Sequence, residues 1–256
     1  MRQFRAMMKK ELFEQLKTHR LVVMLLLFVL TGVLSPALAK MTPWLLDLVS
    51  GDMTETGIQI GTLTVNALSS WTQYYKNMPM ILLVFLVLFG GVMVSEYQHQ
   101  TLIILLSKGL KRHNILLPKY VVLILIWTLG CLISFGITLA YTVYFWDNSI
   151  IQNQAFALFL FYLLGVWLIS VLIGASVFCR SVSAVLLAVA ACFGISYLAG
   201  LLPAVSDYVP TMLLGQMNLL TGTATCSDYL PAAVITLLLA LFHVTAGVIC
   251  FRKKGI

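Results

Sequence analysis

The fold class this sequence predicts is all-α: a polytopic membrane protein with six transmembrane helices, on three observations. Hydrophobic residues make up 61% of the 256 and charged residues only 10%, whereas a water-soluble domain carries about 25% charged residues. Six separate stretches stay apolar for the roughly 20 residues a helix needs to cross about 30 Å of hydrocarbon. Lys and Arg collect at alternate ends of those stretches, the bias that fixes orientation. The whole chain, 1–256, reads as a single transmembrane domain.

The first element is residues 1–20. Phe4, Met8, Leu12 and Leu16 recur every four residues and sweep one arc of a helix, while Arg2, Lys9, Lys10, Glu14, Lys17 and Arg20 lie mostly elsewhere. That pattern predicts an amphipathic interfacial helix with its cations near anionic lipid headgroups. Lys10 and Glu14, four apart, add about 0.2 to 0.5 kcal/mol. A plain topology anchor is the blander reading of the same segment. Its length and mixed charge differ from the basic region of a signal peptide, so the apolar run at 21–38 is expected to be a retained first span.

The other spans are expected at 78–95, 115–145, 156–178, 183–202 and 230–251. Lys119 is the one Lys, Arg, Asp or Glu in the six stretches, and a charge at mid-membrane costs about 2.5 to 3.5 kcal/mol. The third stretch exceeds one crossing, which predicts a tilt or a start below the membrane with Pro118 near its first turn. All but two of the 16 basic residues fall on one side, at 2–20, 108–119, Arg180 and 252–254. The other side receives Lys40 and Lys76 with Asp47, Asp52, Glu55, Asp147, Asp207 and Asp228. Both termini are therefore expected in the cytoplasm.

The connections differ in character. The outer loop 39–77 is the longest and reads equally as partly ordered structure or as linker. The segment 203–229 carries Pro203 and Pro210 around a middle too short to cross, which suggests a re-entrant or interfacial piece. Asp228, with Pro231 one turn on, marks a start for the last span. The inner loop after the second span is too long for a simple turn. It is polar at both ends and apolar between, which predicts a short helix on the cytoplasmic face.

This loop carries a family resemblance. Glu96, Thr101, Leu102, Leu105, Leu106, Ser107, Arg112, Ile115 and Lys119 match, in order, a signature of ABC transporter permeases of the type-2 exporter family. Gln100 stands where that signature has Gly, and Gly109 and Lys111 stand where it has Pro and Ser. The run 71–77, Trp-Thr-Gln-Tyr-Tyr-Lys-Asn, resembles the segment before the second span in some bacterial members, and Lys9-Lys10-Glu11-Leu12 resembles the family's opening helix.

The resemblance implies a permease in a bacterial plasma membrane whose loop after span two is a coupling helix resting on a cytoplasmic ABC ATPase subunit. The coupling positions would be Glu96, Gln98, Thr101, Leu102, Leu105, Ser107, Lys108, Lys111 and Arg112. It implies a second permease copy or a related permease as partner, and re-entrant helices between spans five and six. No GxxxxGK[ST] phosphate loop occurs in this chain, so no cofactor is expected here and ATP with Mg is expected in the partner ATPase.

Enzyme readings find little support. No HExxH pairing exists, and the five cysteines show neither CxxC nor Cys/His spacing, so neither a catalytic residue nor a metal site is expected. His243 lies well inside the last span, where an ionisable group is a functional candidate; it is read as an interhelical polar residue. Ser170 with Gly174 is a small-xxx-small pair that permits close helix approach. The basic residues form no face interleaved with aromatics, which argues against nucleic acid.

The near absence of charge in the spans favours an apolar or amphipathic substrate such as a peptide, drug or lipid. Ser134, Thr138, Ser170, Ser176 and Thr236 are polar groups available to line a path between subunits. The rival reading is a membrane sensor or scaffold that binds a ligand through the outer loop and transports nothing. A secondary transporter is disfavoured by the lack of charged midplane sites.

Overall fold

The computed structural model describes residues 2–53, 65–98, 101–102, 107, 110 and 112–253. Among them the chain is all-helical. Helix α1 (Arg2–Lys17) is followed by α2 (Arg20–Met53), α3 (Ala67–Phe89) and the single turn α4 (Val94–Gln98). Then come α5 (His113–Phe145), α6 (Gln154–Phe178), α7 (Val182–Gly200), the short α8 (Gln216–Leu220) and α9 (Cys226–Lys253). Six of these helices are long and apolar enough to cross a membrane: α2, α3 continued by α4, α5, α6, α7 and α9. The protein is a multi-pass membrane protein.

Several expected boundaries move outward. Helix α2 runs past residue 38, through Pro36 and Pro43, to Met53. Proline inside a helix orphans the carbonyl four residues back, here that of Gly32 for Pro36. Thr138 Oγ1 on α5 donates to Gly32 O at 3.2 Å, so a neighbouring helix satisfies the freed group and the helix continues. The close approach needs Gly32: a Cβ there would lie 2.8 Å from Ser134 O.

Helix α3 starts eleven residues before the expected 78. Asn66 caps it: its Oδ1 accepts from Ser69 N at 3.2 Å, and Ser69 Oγ accepts from Asn66 N at 3.5 Å. Lys76 and its polar neighbours suggested a loop over 71–77. In the helix, Trp71, Tyr74, Tyr75 and Met78 share the buried face while Thr72, Gln73 and Lys76 lie off it. The expected outer loop 39–77 is thus helical over its first and last parts, and 54–64 lies outside the described residues. Helix α5 has 33 residues, about 50 Å at 1.5 Å per residue, which agrees with the expected excess over one crossing.

Helix α6 is the core of the bundle, packed against α5, α7, α9, α8 and α3. An aromatic cluster joins four helices: Trp127 of α5 meets Phe28 of α2, Phe85 of α3 and Phe161 of α6 at ring-centroid distances of 5.6, 5.3 and 5.9 Å. Two glycines make room. A Cβ on Gly130 would overlap the Phe28 ring, and one on Gly165 the Trp127 indole.

The segment after α7 forms two 3₁₀ turns, Ser206–Tyr208 and Pro210–Leu214, and then α8. It folds back over one end of the bundle and buries Leu213, Leu219 and Leu220 against α6, α9 and α3. The last span begins at Cys226, and Asp228 Oδ2 accepts from Thr225 N at 2.8 Å in its first turn.

Candidate functional site

Helix α1 does not dock through the arc that the sequence singled out. Phe4 and Met8 are half-buried, while Leu12 and Leu16 are exposed together with Phe13. The face seated on the bundle is Met7, Glu11 and Gln15, each four residues from the next and all buried. The acid of this face meets the start of α5. Its counterpart is Lys119, fully buried two turns into that helix.

A buried ammonium is tolerated only when it is paired and its protons are bonded. Lys119 Nζ lies 2.8 Å from Glu11 Oε2 and 3.1 Å from Glu96 Oε1, and it donates to Val92 O at 3.3 Å. Lys10 Nζ approaches the same cluster from the rim: 2.7 Å from Glu96 Oε1, 3.5 Å from Glu11 Oε1 and 3.5 Å from Glu14 Oε2. Two cations and three carboxylates thus join α1, α4 and α5, with Glu96 Oε1 shared between both lysines. The anticipated Lys10–Glu14 pair is present, but Lys10's shortest contact is to Glu96.

Burial pushes the Glu11 carboxyl above its ordinary value, against the pull of the Lys119 ammonium. For Lys10, burial pulls downward while the hydrogen bond and charge of Glu96 push upward, and the net shift is up. Carboxylate oxygens of Glu11, Glu14 and Glu96 lie within 4.8 Å of one another. The two ammonium groups bond Glu11 Oε2 and Glu96 Oε1 of that group. Two buried oxygens, Glu96 Oε2 and Gln15 Oε1, have no hydrogen-bond partner among the described residues.

The positions assigned to ATPase coupling divide. Glu96 and Leu102 are buried within the chain. Thr101 Oγ1 donates to Glu96 O at 3.3 Å, and Gln98 and Ser107 are exposed. Arg112 Nη1 donates to Phe251 O at 3.0 Å and to Arg252 O at 3.4 Å, at the end of α9. Leu105, Lys108 and Lys111 lie outside the described residues.

Glu11 was the residue missed. The signal was available: a lone lysine inside a span requires an acid, and Glu11 repeats with Met7 and Gln15 at helical spacing.

Two groups of polar residues in the spans make contacts within their own helices. His243 Nδ1 bonds Leu239 O at 2.6 Å in its own helix, so this contact is intrahelical rather than interhelical; the carbonyl one turn back is the acceptor within reach. Ser134, Thr138, Ser170, Ser176 and Thr236 are all buried within this one chain and bond carbonyls of their own helices. They cannot line a path between two chains without repacking the bundle.

Interhelical polar contacts include, besides Thr138 with Gly32 O, Tyr74 with Ser134 at 3.1 Å, Tyr120 with Ser170 at 3.0 Å, Ser70 with Thr142 at 2.7 Å and Thr128 with Tyr162 at 3.1 Å. Gly174 does give the anticipated close approach. A Cβ on Gly247 of α9 would lie 3.3 Å from its Cα.

The spans also enclose an apolar groove of about 400 Å³ between α3, α6 and α7, lined among others by Pro79, Leu82, Leu86, Leu168, Val189 and Phe193. Every side chain in its wall is hydrocarbon or aromatic. It offers no group to coordinate an ion or to hydrogen-bond a sugar.

A family model described as an ABC-2 family transporter protein matches residues 5–230. No curated protein matches the chain.

Proposed function

The chain belongs to the ABC-2 family of transporter proteins, and on that premise we propose that this membrane subunit is the permease of an ATP-driven exporter for an apolar or amphipathic substrate. The family implies association with an ABC ATPase; the sequence holds no phosphate loop of its own, so ATP and Mg belong to that partner. The coupling element is the loop 96–112. It faces the cytoplasm, as do both termini, in a bacterial plasma membrane. Two copies, or this chain and a related permease, make the complete path.

One observation carries this reading: the charge network sits at the root of that loop. Lys119 and Lys10 hold Glu96 to α5 and α1 at 3.1 and 2.7 Å. A push on the loop would therefore reach three elements at once. The groove supports the substrate class, since a hydrocarbon wall favours a ligand that gains from leaving water, at roughly 25 cal/mol per Å² of apolar surface. On this reading the exposed Leu12, Phe13 and Leu16 of α1 contact lipid, and the segment 203–229 forms a re-entrant cap at the outer mouth.

The test is co-purification with a co-expressed ABC ATPase subunit, comparing the unaltered permease with a Leu105→Asp, Lys108→Glu variant. Loss of the ATPase and of its stimulated hydrolysis is expected. Unchanged association would overturn the docking assignment. Labelling of Lys108→Cys by an impermeant maleimide from outside intact cells would overturn the orientation.

A further inference from the structure

Arg112 stands at the N-terminus of α5, yet its guanidinium is committed to a different helix. Its Nη1 bonds Phe251 O and Arg252 O, two of the carbonyls that the last turn of a helix leaves without intrahelical donors. The negative end of the α9 dipole lies there, so a cation is doubly favoured. Beside this contact, Arg252 Nη2 lies 3.5 Å from His113 Nδ1. The loop 96–112 is thus anchored at one end by Glu96 and at the other by the C-terminal turn of the last span.

The second anchor leads back to the groove. Helix α9 packs along α6, with a close approach where Gly174 faces Gly247, and α6 supplies Leu164 and Leu168 to the groove wall. With so little clearance, a shift of α9 toward α6 at Gly247 meets the α6 backbone.

We propose that Arg112 is a positioning residue that makes α9 follow the coupling loop, so that ATPase closure is delivered to the last span and through it to α6. This rests on the docking assigned above to the loop. It differs in placing the work of Arg112 inside the permease rather than on the ATPase surface.

The experiment uses the permease co-expressed with the same ABC ATPase subunit, its own cysteines replaced by alanine. Spin labels go at Leu26→Cys on α2 and Phe242→Cys on α9, both exposed on the bundle surface. The interspin distance is measured without nucleotide and after trapping with ATP and vanadate. Trapping should shift the distance in the otherwise unaltered protein. Arg112→Gln should abolish the shift while ATPase association persists. Arg112→Lys should retain it, because the contact is a cation on carbonyl oxygens and not a bidentate fork on a carboxylate.

A shift that survives in Arg112→Gln, or that is absent from the parent protein, overturns the inference. Loss of ATPase association in Arg112→Gln also overturns it, by assigning the guanidinium to docking. If the parent complex does not assemble at all, the functional reading above is what fails.

Should Arg112→Gln not fold, Arg112→Met in the spin-labelled parent decides, because it keeps the side-chain bulk and removes only the donors. A shift lost in Arg112→Met while ATPase association persists supports the inference, and a shift that survives there overturns it.

Discussion

At the α1 end of the bundle, Lys119, Lys10, Glu11 and Glu96 join three elements by charge. At the opposite end the junctions are neutral hydrogen bonds: Trp71 Nε1 to Asn148 Oδ1 at 3.1 Å, Ser70 with Thr142 at 2.7 Å, Gln152 N to Leu220 O at 3.2 Å and Tyr229 OH to Gly215 O at 2.8 Å. The difference teaches where this protein can be driven. Neutral bonds fail singly and locally. A shared buried charge fails collectively, because removing one partner strands the others.

The sharpest way to break the comparison is Lys119→Met. It leaves Glu11 and Glu96 buried with only the rim cation Lys10 beside them, and it should cost roughly 3 to 5 kcal/mol of stability, read by thermal denaturation in nanodiscs. A loss near that of a neutral bond would mean that the two ends are energetically alike. At the other end Tyr229→Phe removes one donor from Gly215 O and should cost about 1 kcal/mol, with no dependence on pH from 5 to 8 as tyrosine stays protonated there.

Acidity sharpens the contrast further. The Glu11 carboxyl titrates above its unfolded value. Its contribution is therefore full below the unfolded carboxylate range, near about 4.3, and is lost as pH rises through the higher folded value. Stability of the unaltered protein minus that of Glu11→Gln should fall as pH rises from about 4 to 7. A difference that grows over that interval would contradict the direction of the shift.

The smallest effect is expected at the hinge between α1 and α2. His19 adopts φ 56°, a left-handed conformation that disfavours a Cβ. His19→Gly should gain about 0.5 to 1 kcal/mol after the extra chain entropy of glycine is counted, without altering the charge network.

Legibility followed the strength of each physical signal. The six spans and the last-span start near Asp228 were plain, because a charge-free run long enough to cross has few other uses in a chain with so little polar surface. The starts and ends of α2 and α3 were not. Lys76 and the prolines at 36 and 43 read as breaks, and only the Thr138 bond to Gly32 O and the burial of Trp71, Tyr74 and Tyr75 show why the helices continue.

Within the candidate site, Glu96, Arg112 and Lys119 were recognised as positions of a shared pattern without a reason for their being acid or base. Glu11, which completes the network, was passed over because α1 was judged by its apolar arc.

The sequence by itself determined that this protein lives in lipid, how many times it is fitted to cross and which family it joins, since hydrophobic length and loop signature are local properties of the chain. Only the tertiary structure decided which charges meet. Glu11 and Lys119 stand 108 residues apart and Arg112 and Phe251 stand 139 apart, and no local pattern encodes a distance that exists only once the helices have packed.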